Sequence, residues 1–238
     1  MTRTAPDDDP WLDVAAQTGA GSGVLAQAGA RIAVIEYVLP LDAQTGVPRK
    51  KTVPDQLRDA LFGQPLPTVA EIGSAGGVAS DVPPMGTYAI LDAARVTNLP
   101  EVLESSRLEH RCLFSGKAYE DLKHAAPWIV RLEEGNTFAR RLFTRGQACW
   151  HLWDSQPGIY IRSRASLDDL WRHFRKFTRI QDEAGNWFYF RFWEPRRLRA
   201  VVNNMDAADS ERFLAGISGL VAIDPRGKAE LVTNDAAV

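Results

Sequence analysis

A chain of 238 residues is long enough to bury a full core in one large domain or two small ones. Its 45% hydrophobic and 24% charged residues are the balance of a globular protein and exclude a low-complexity or fibrous one. A formal net charge of −2 leaves no overall field to gather nucleic acid or a membrane surface, and no apolar run approaches the roughly 18 residues that cross a bilayer.

In chain order, residues 1–29 join an acidic start to Gly19-Ala20-Gly21-Ser22-Gly23 and are expected to be loosely ordered. The start has no apolar stretch of signal length, and Cys112 and Cys149 lie in strand-like runs as reduced, buried thiols, so the expected location is the cytoplasm. Residues 31–39 form a strand candidate through Ile32, Val34, Ile35 and Val38, and residues 54–62 a short helix with Leu57, Leu61 and Phe62 on one side. Residues 73–86 are rich in Gly, Ala, Ser and Pro and read as a linker. Residues 1–86 are therefore expected to be a variable extension with a linker, and residues 87–238 an α/β domain.

From Thr87 short strands and helices alternate. Strands at residues 88–91, 111–114 and 128–132 each lead into a helix, with Asn98 and Asn136 as cap candidates. Such alternation predicts a mixed, mainly parallel sheet with helices on both faces. Gly158-Ile159-Tyr160-Ile161-Arg162 is a further strand. Ser166 then offers its hydroxyl to the Asp169 N–H, at the head of a helix whose Leu167, Leu170, Trp171, Phe174 and Phe177 make one apolar face. Residues 179–181 and 187–193, joined by Asp182-Glu183-Ala184-Gly185-Asn186, predict an antiparallel hairpin. Aromatic residues on both of its faces predict cover on both sides. Pro195 suits the first position of a helix, and a C-terminal helical part carries Phe213 and Ile217. A last strand or hairpin surrounds Asp224-Pro225-Arg226-Gly227.

Tyr88-Ala89-Ile90-Leu91-Asp92, Arg111-Cys112-Leu113-Phe114, Pro127-Trp128-Ile129-Val130-Arg131-Leu132, residues 158–164 and Phe190-Arg191-Phe192-Trp193-Glu194-Pro195-Arg196 follow one order and spacing. In this the chain resembles the type VI secretion effector-adaptor family, built on a domain of unknown function, over roughly residues 88–223. Where many members carry Tyr-Asp-Pro, this chain has Trp193-Glu194-Pro195. The resemblance implies a chaperone that loads a toxic effector protein onto the VgrG spike.

No catalytic constellation is legible. Ser74 lies in a Gly-rich run with no strand before it to form a nucleophile elbow, and the same glycines lack the Lys-Ser/Thr ending of a phosphate loop. His110-x-Cys112 and Cys149-x-His151 could each offer two zinc ligands, but only if the fold brought the pairs together. The expectation is no metal and no cofactor. Residues 157–200 carry ten Lys/Arg against five Asp/Glu, interleaved with tryptophans, a composition suited to an acidic protein partner. Arg162, Trp171, Arg175, Arg191 and Trp193 are the residues expected to contact that partner or shape its surface. The alternative is a nucleic-acid-binding module using the basic aromatic face of residues 160–199; balanced total charge disfavours it.

Overall fold

The computed structural model describes residues 30–181 and 184–234. The expectation for residues 1–29 and the turn residues Asp182 and Glu183 lie outside them. Seven strands form one sheet in the order β1-β9-β8-β5-β2-β4-β3. These are β1 (Ala30–Ile35), β2 (Gly86–Asp92), β3 (His110–Cys112), β4 (Pro127–Leu132), β5 (Gly158–Ser163), β8 (Gly219–Ile223) and β9 (Ala229–Asn234). A second sheet pairs β6 (Arg179–Gln181) with β7 (Trp187–Tyr189). The helices are α1 (Asp55–Phe62), α2 (Val69–Ser74), α3 (Leu99–Ser106), α4 (Lys117–Leu122), α5 (Thr137–Leu142), α6 (Leu167–Arg175), α7 (Pro195–Asn204) and α8 (Ala207–Leu214).

The expected mainly parallel sheet is overturned. Every strand pair in the large sheet is antiparallel; the one parallel contact among the described residues is the single bridge Leu41–Thr144. The physical reason lies in the crossovers. β2 and β3 run the same way and are joined through α3, but β4 fills the gap between them. Likewise β4 and β5 run the same way and are joined through α5, and β2 fills that gap. Each helical crossover thus skips one position, and two interleaved units fill each other's vacancies with antiparallel strands. Because these units start from oppositely directed strands and step in opposite directions, equal handedness puts α3 and α5 on the same face.

Alternation along the strands divides the core in two. Ala89, Leu91, Val130, Tyr160 and Val221 face one cluster with Leu57 and Leu61 of α1, Leu103 of α3 and Leu142 of α5. Ile90, Ile129, Ile161 and Leu220 face the other, with Leu170 and Phe174 of α6, Leu198 of α7 and Phe213 of α8. β2 and β5 approach so closely that a Cβ on Gly158 would lie 1.8 Å from the Ile90 carbonyl oxygen. Helix starts follow the sequence in part. Ser166 Oγ accepts from Asp169 N at 3.1 Å and Asn136 Oδ1 from Phe138 N at 2.8 Å. Asn98 makes no side-chain cap; it turns the chain at φ 53° ahead of Pro100.

The residues before 87 pack with the rest. β1 pairs with β9 at the sheet edge, and α1 lies in the first core cluster. The segment expected to be a linker, residues 73–86, starts in the last turn of α2, and both it and the stretch before it are fastened to Arg164, the residue that follows β5. Arg164 donates to Glu71 Oε1 at 2.9 Å and to the carbonyl oxygens of Pro65 and Pro83 at 2.9 and 2.7 Å.

Candidate partner-binding surface

α6 presents its polar side along the β3 edge of the large sheet. Trp171 is the pivot. Its indole N–H donates to the Cys112 carbonyl oxygen at 2.7 Å, while the guanidiniums of Arg111 and Arg175 lie 3.5 and 4.3 Å from the ring centroid. Such cation–π contacts fix long side chains that would otherwise sample many rotamers. Arg111 also pairs with Asp168 at 2.6 Å, and Arg175 donates to Ser115 Oγ. Beside Ser115, Phe114 stacks on Tyr189 with ring centroids 5.0 Å apart. The surface therefore runs without a break from α6 across the residues after β3 to the β6–β7 hairpin.

That hairpin departs from expectation. It is not a covered central strand: Trp187, Phe188 and Tyr189 are 58, 52 and 49% exposed. The ladder is only three pairs long, and the chain leaves the strand before Phe192 and Trp193 turn back into the second core cluster. The aromatic run is thus split, its first three residues outward and its last two inward. Arg179 lies over the Trp187 ring at 4.9 Å, so the hairpin repeats the arginine–tryptophan pairing of α6.

Of the five residues expected to serve the partner, only Trp171 and Arg175 sit together on this surface. Arg162 is 6% exposed. Its guanidinium donates to the carbonyl oxygens of Leu61 and Gly63 at the C-terminal end of α1 and to Thr87 Oγ1 at 2.6 Å. Carbonyls at a helix C-terminus suit a cation; burial pushes its pKa down to about 10, which still leaves it charged near neutrality. Trp193 is 2% exposed, a core residue whose indole N–H has no hydrogen-bond partner among the described residues. Arg191 is partly exposed and bridges the buried Asp92 at 2.6 Å and Glu194 at 2.6 Å, clamping the start of α7 to the end of β2.

The sequence matches the family described as a domain of unknown function, DUF4123, over residues 87–212, slightly more than half of the chain. The chain belongs to the DUF4123 family. No curated protein and no solved structure matches it. The DUF4123 span holds the whole arginine–aromatic surface, whereas β1, α1, α2, β8 and β9 lie outside it.

Sequence reasoning missed Arg111, Phe114 and Ser115. In a strand, Arg111 must point opposite to the buried Cys112, but that β3 forms the sheet edge beneath α6 is a fact of topology. Of the cysteines, Cys112 is buried, and burial pushes its thiol up to about 11. Cys149 is exposed in a turn rather than buried in a strand. Among the described residues no three His, Cys, Asp or Glu side chains group as metal ligands, and no helix is long and apolar enough to cross a membrane.

Proposed function

We propose that this DUF4123 protein is a non-enzymatic adaptor that binds a cognate type VI secretion effector and delivers it to the VgrG spike from the cytoplasm. The observation that carries the reading is the contiguous surface of Trp171, Arg175, Phe114 and the half-exposed Trp187, Phe188 and Tyr189. Tryptophan, tyrosine and arginine are the side chains that anchor protein interfaces: the two aromatics bury large area with two rotatable bonds each, and the arginines here are already held over tryptophan rings. Exposed aromatics grouped on one short hairpin are a cost in water that a partner removes. The resemblance to effector adaptors overlaps the DUF4123 span and supports the same reading.

The test is purification of the tagged full chain from its own cells, with mass spectrometry of what accompanies it. The expected result is a toxin-like protein together with a spike subunit, both lost when Trp187, Phe188 and Tyr189 are replaced by Ser. Those side chains are half exposed, so the triple variant should keep its fold, checked by circular dichroism. A parent protein that brings down neither class, or a triple variant that captures as well as the parent, overturns the proposal.

A further inference from the structure

The β3 edge of the large sheet has unused backbone groups. Arg131 N donates to the Glu109 carbonyl and Leu113 N to the Pro127 carbonyl, so residues 109, 111 and 113 turn their backbone groups toward β4. The intervening His110 and Cys112 then turn theirs outward. Of those outward groups, Cys112 O is taken by the Trp171 indole. The N–H and C=O of His110 and the N–H of Cys112 show no backbone partner among the described residues. An open groove of about 870 Å³ follows this edge. On the face shared by His110 and Cys112 it is walled by Glu101 and Glu104 of α3, by Tyr119 of α4 and by Trp128, whose ring centroid lies 5.9 Å from that of His110. Trp171 closes the other face.

We infer that this groove binds an extended segment of the partner protein, which adds to β3 as an eighth strand and carries Lys or Arg at alternate positions. This rests on the adaptor reading above and names the chemistry of what the surface holds. The backbone of the incoming segment exchanges hydrogen bonds with His110, the general mode of strand addition at an exposed edge. Its register fixes the charge rule. Side chains on the His110 face meet Glu101 and Glu104, and among the described residues the His110 ring nitrogen at 3.8 Å is the one ion-pair contact of Glu104. Every second side chain of the incoming strand therefore faces acid, while its neighbours face Trp171 and Arg111. By holding Cys112 O, Trp171 ends the pairing at the Cys112 N–H and sets the register of the new strand.

The probe is a phage-displayed library of random 12-residue peptides selected on the full chain. The expected result is enrichment of β-branched sequences with Lys or Arg at every second position. An enriched peptide should slow amide exchange at His110 and Cys112 by about tenfold or more. Glu101→Lys with Glu104→Lys should abolish that protection. His110→Pro, which removes an outward N–H and leaves the β3–β4 ladder whole, should abolish the protection at Cys112. No enrichment, enrichment that survives charge reversal, or protection confined to other amides each overturns the strand-addition proposal. Mixed disulfide-free dimers formed through β3, seen by ultracentrifugation and lost in His110→Pro, would instead assign the edge to a second copy and overturn it too. If the charge-reversed protein still captures a cellular effector that the Trp187, Phe188 and Tyr189 triple variant loses, strand addition falls and the adaptor reading stands. If neither changes capture, the adaptor surface itself falls.

Discussion

Arg162→Ala separates an anchoring role for this arginine from a contact role. The guanidinium is buried against three acceptors: the carbonyls of Leu61 and Gly63 and Thr87 Oγ1. In the variant Leu61 O keeps the Thr87 hydroxyl as a donor, whereas Gly63 O keeps none among the described residues. One stranded carbonyl costs about 1–3 kcal/mol, and each lost charge-assisted bond contributes about 1.5–3 kcal/mol. Against this, Ala no longer has to bury a charge that burial alone disfavours. The net expectation is a loss of about 3 kcal/mol, or roughly 6–12 °C in Tm for a domain of this size. Urea and thermal unfolding of the full chain measure it. Arg162→Lys should recover less than half, because a single ammonium cannot reproduce the planar fork between two carbonyls. Effector capture, measured well below the variant's Tm, should match the parent. A Tm within about 1 °C of the parent would refute the anchoring role, and lost capture by a folded variant would restore Arg162 as a contact.

The Glu71–Arg164 pair predicts acid sensitivity of residues 61–83. Burial by itself would raise the Glu71 carboxyl, but the Thr68 backbone N–H and the Arg164 guanidinium outweigh it and hold the pKa below 4.5. A depressed folded-state pKa stabilises above the unfolded value and is lost as pH falls through the folded one. Proteolytic nicking of residues 61–83 should therefore rise on acidification from about pH 6 to pH 3, and Glu71→Gln should show raised nicking with that pH step flattened. Gly158→Ala should prevent soluble expression or cost more than about 4 kcal/mol. Its Cβ would sit 1.8 Å from Ile90 O in the paired backbone of β2; chemical denaturation of whatever folds checks this.

Local chemistry was legible where it depends on near neighbours in sequence. Ser166 and Asn136 cap the helices that their spacing implies, Leu167, Leu170 and Phe174 of the apolar face of α6 are buried, and Asp224-Pro225-Arg226-Gly227 turns β8 into β9. What failed was long range. β–α–β alternation shows that two strands point the same way and that a helix covers the sheet between them. It does not show whether they are neighbours, and here β4 and β2 each enter a gap that the alternation leaves open. Arg162 failed for a related reason. An arginine ending a strand reads as a surface charge, and only the approach of α1's C-terminus, about a hundred residues earlier in sequence, turns it inward.

The same long-range pairings bear on nucleic acid, the competing reading of residues 160–199. Excess positive charge in a sequence window binds phosphates only if the fold leaves it uncommitted. Here Arg164 is held by Glu71, Arg172 by Asp168 and Asp169, Arg191 by Asp92 and Glu194, and Arg199 by Glu230. A phosphate backbone would have to displace a carboxylate at each of these, which removes much of the counterion-release gain that drives polyanion binding. Three of those carboxylates come from outside the window, Glu71 on α2, Asp92 at the end of β2 and Glu230 on β9, so the charge excess is largely cancelled by chain brought in from both sides. What stays available is aromatic area framed by fixed guanidiniums, and that favours a protein surface with shape and a few well-placed acceptors over a uniform row of phosphates.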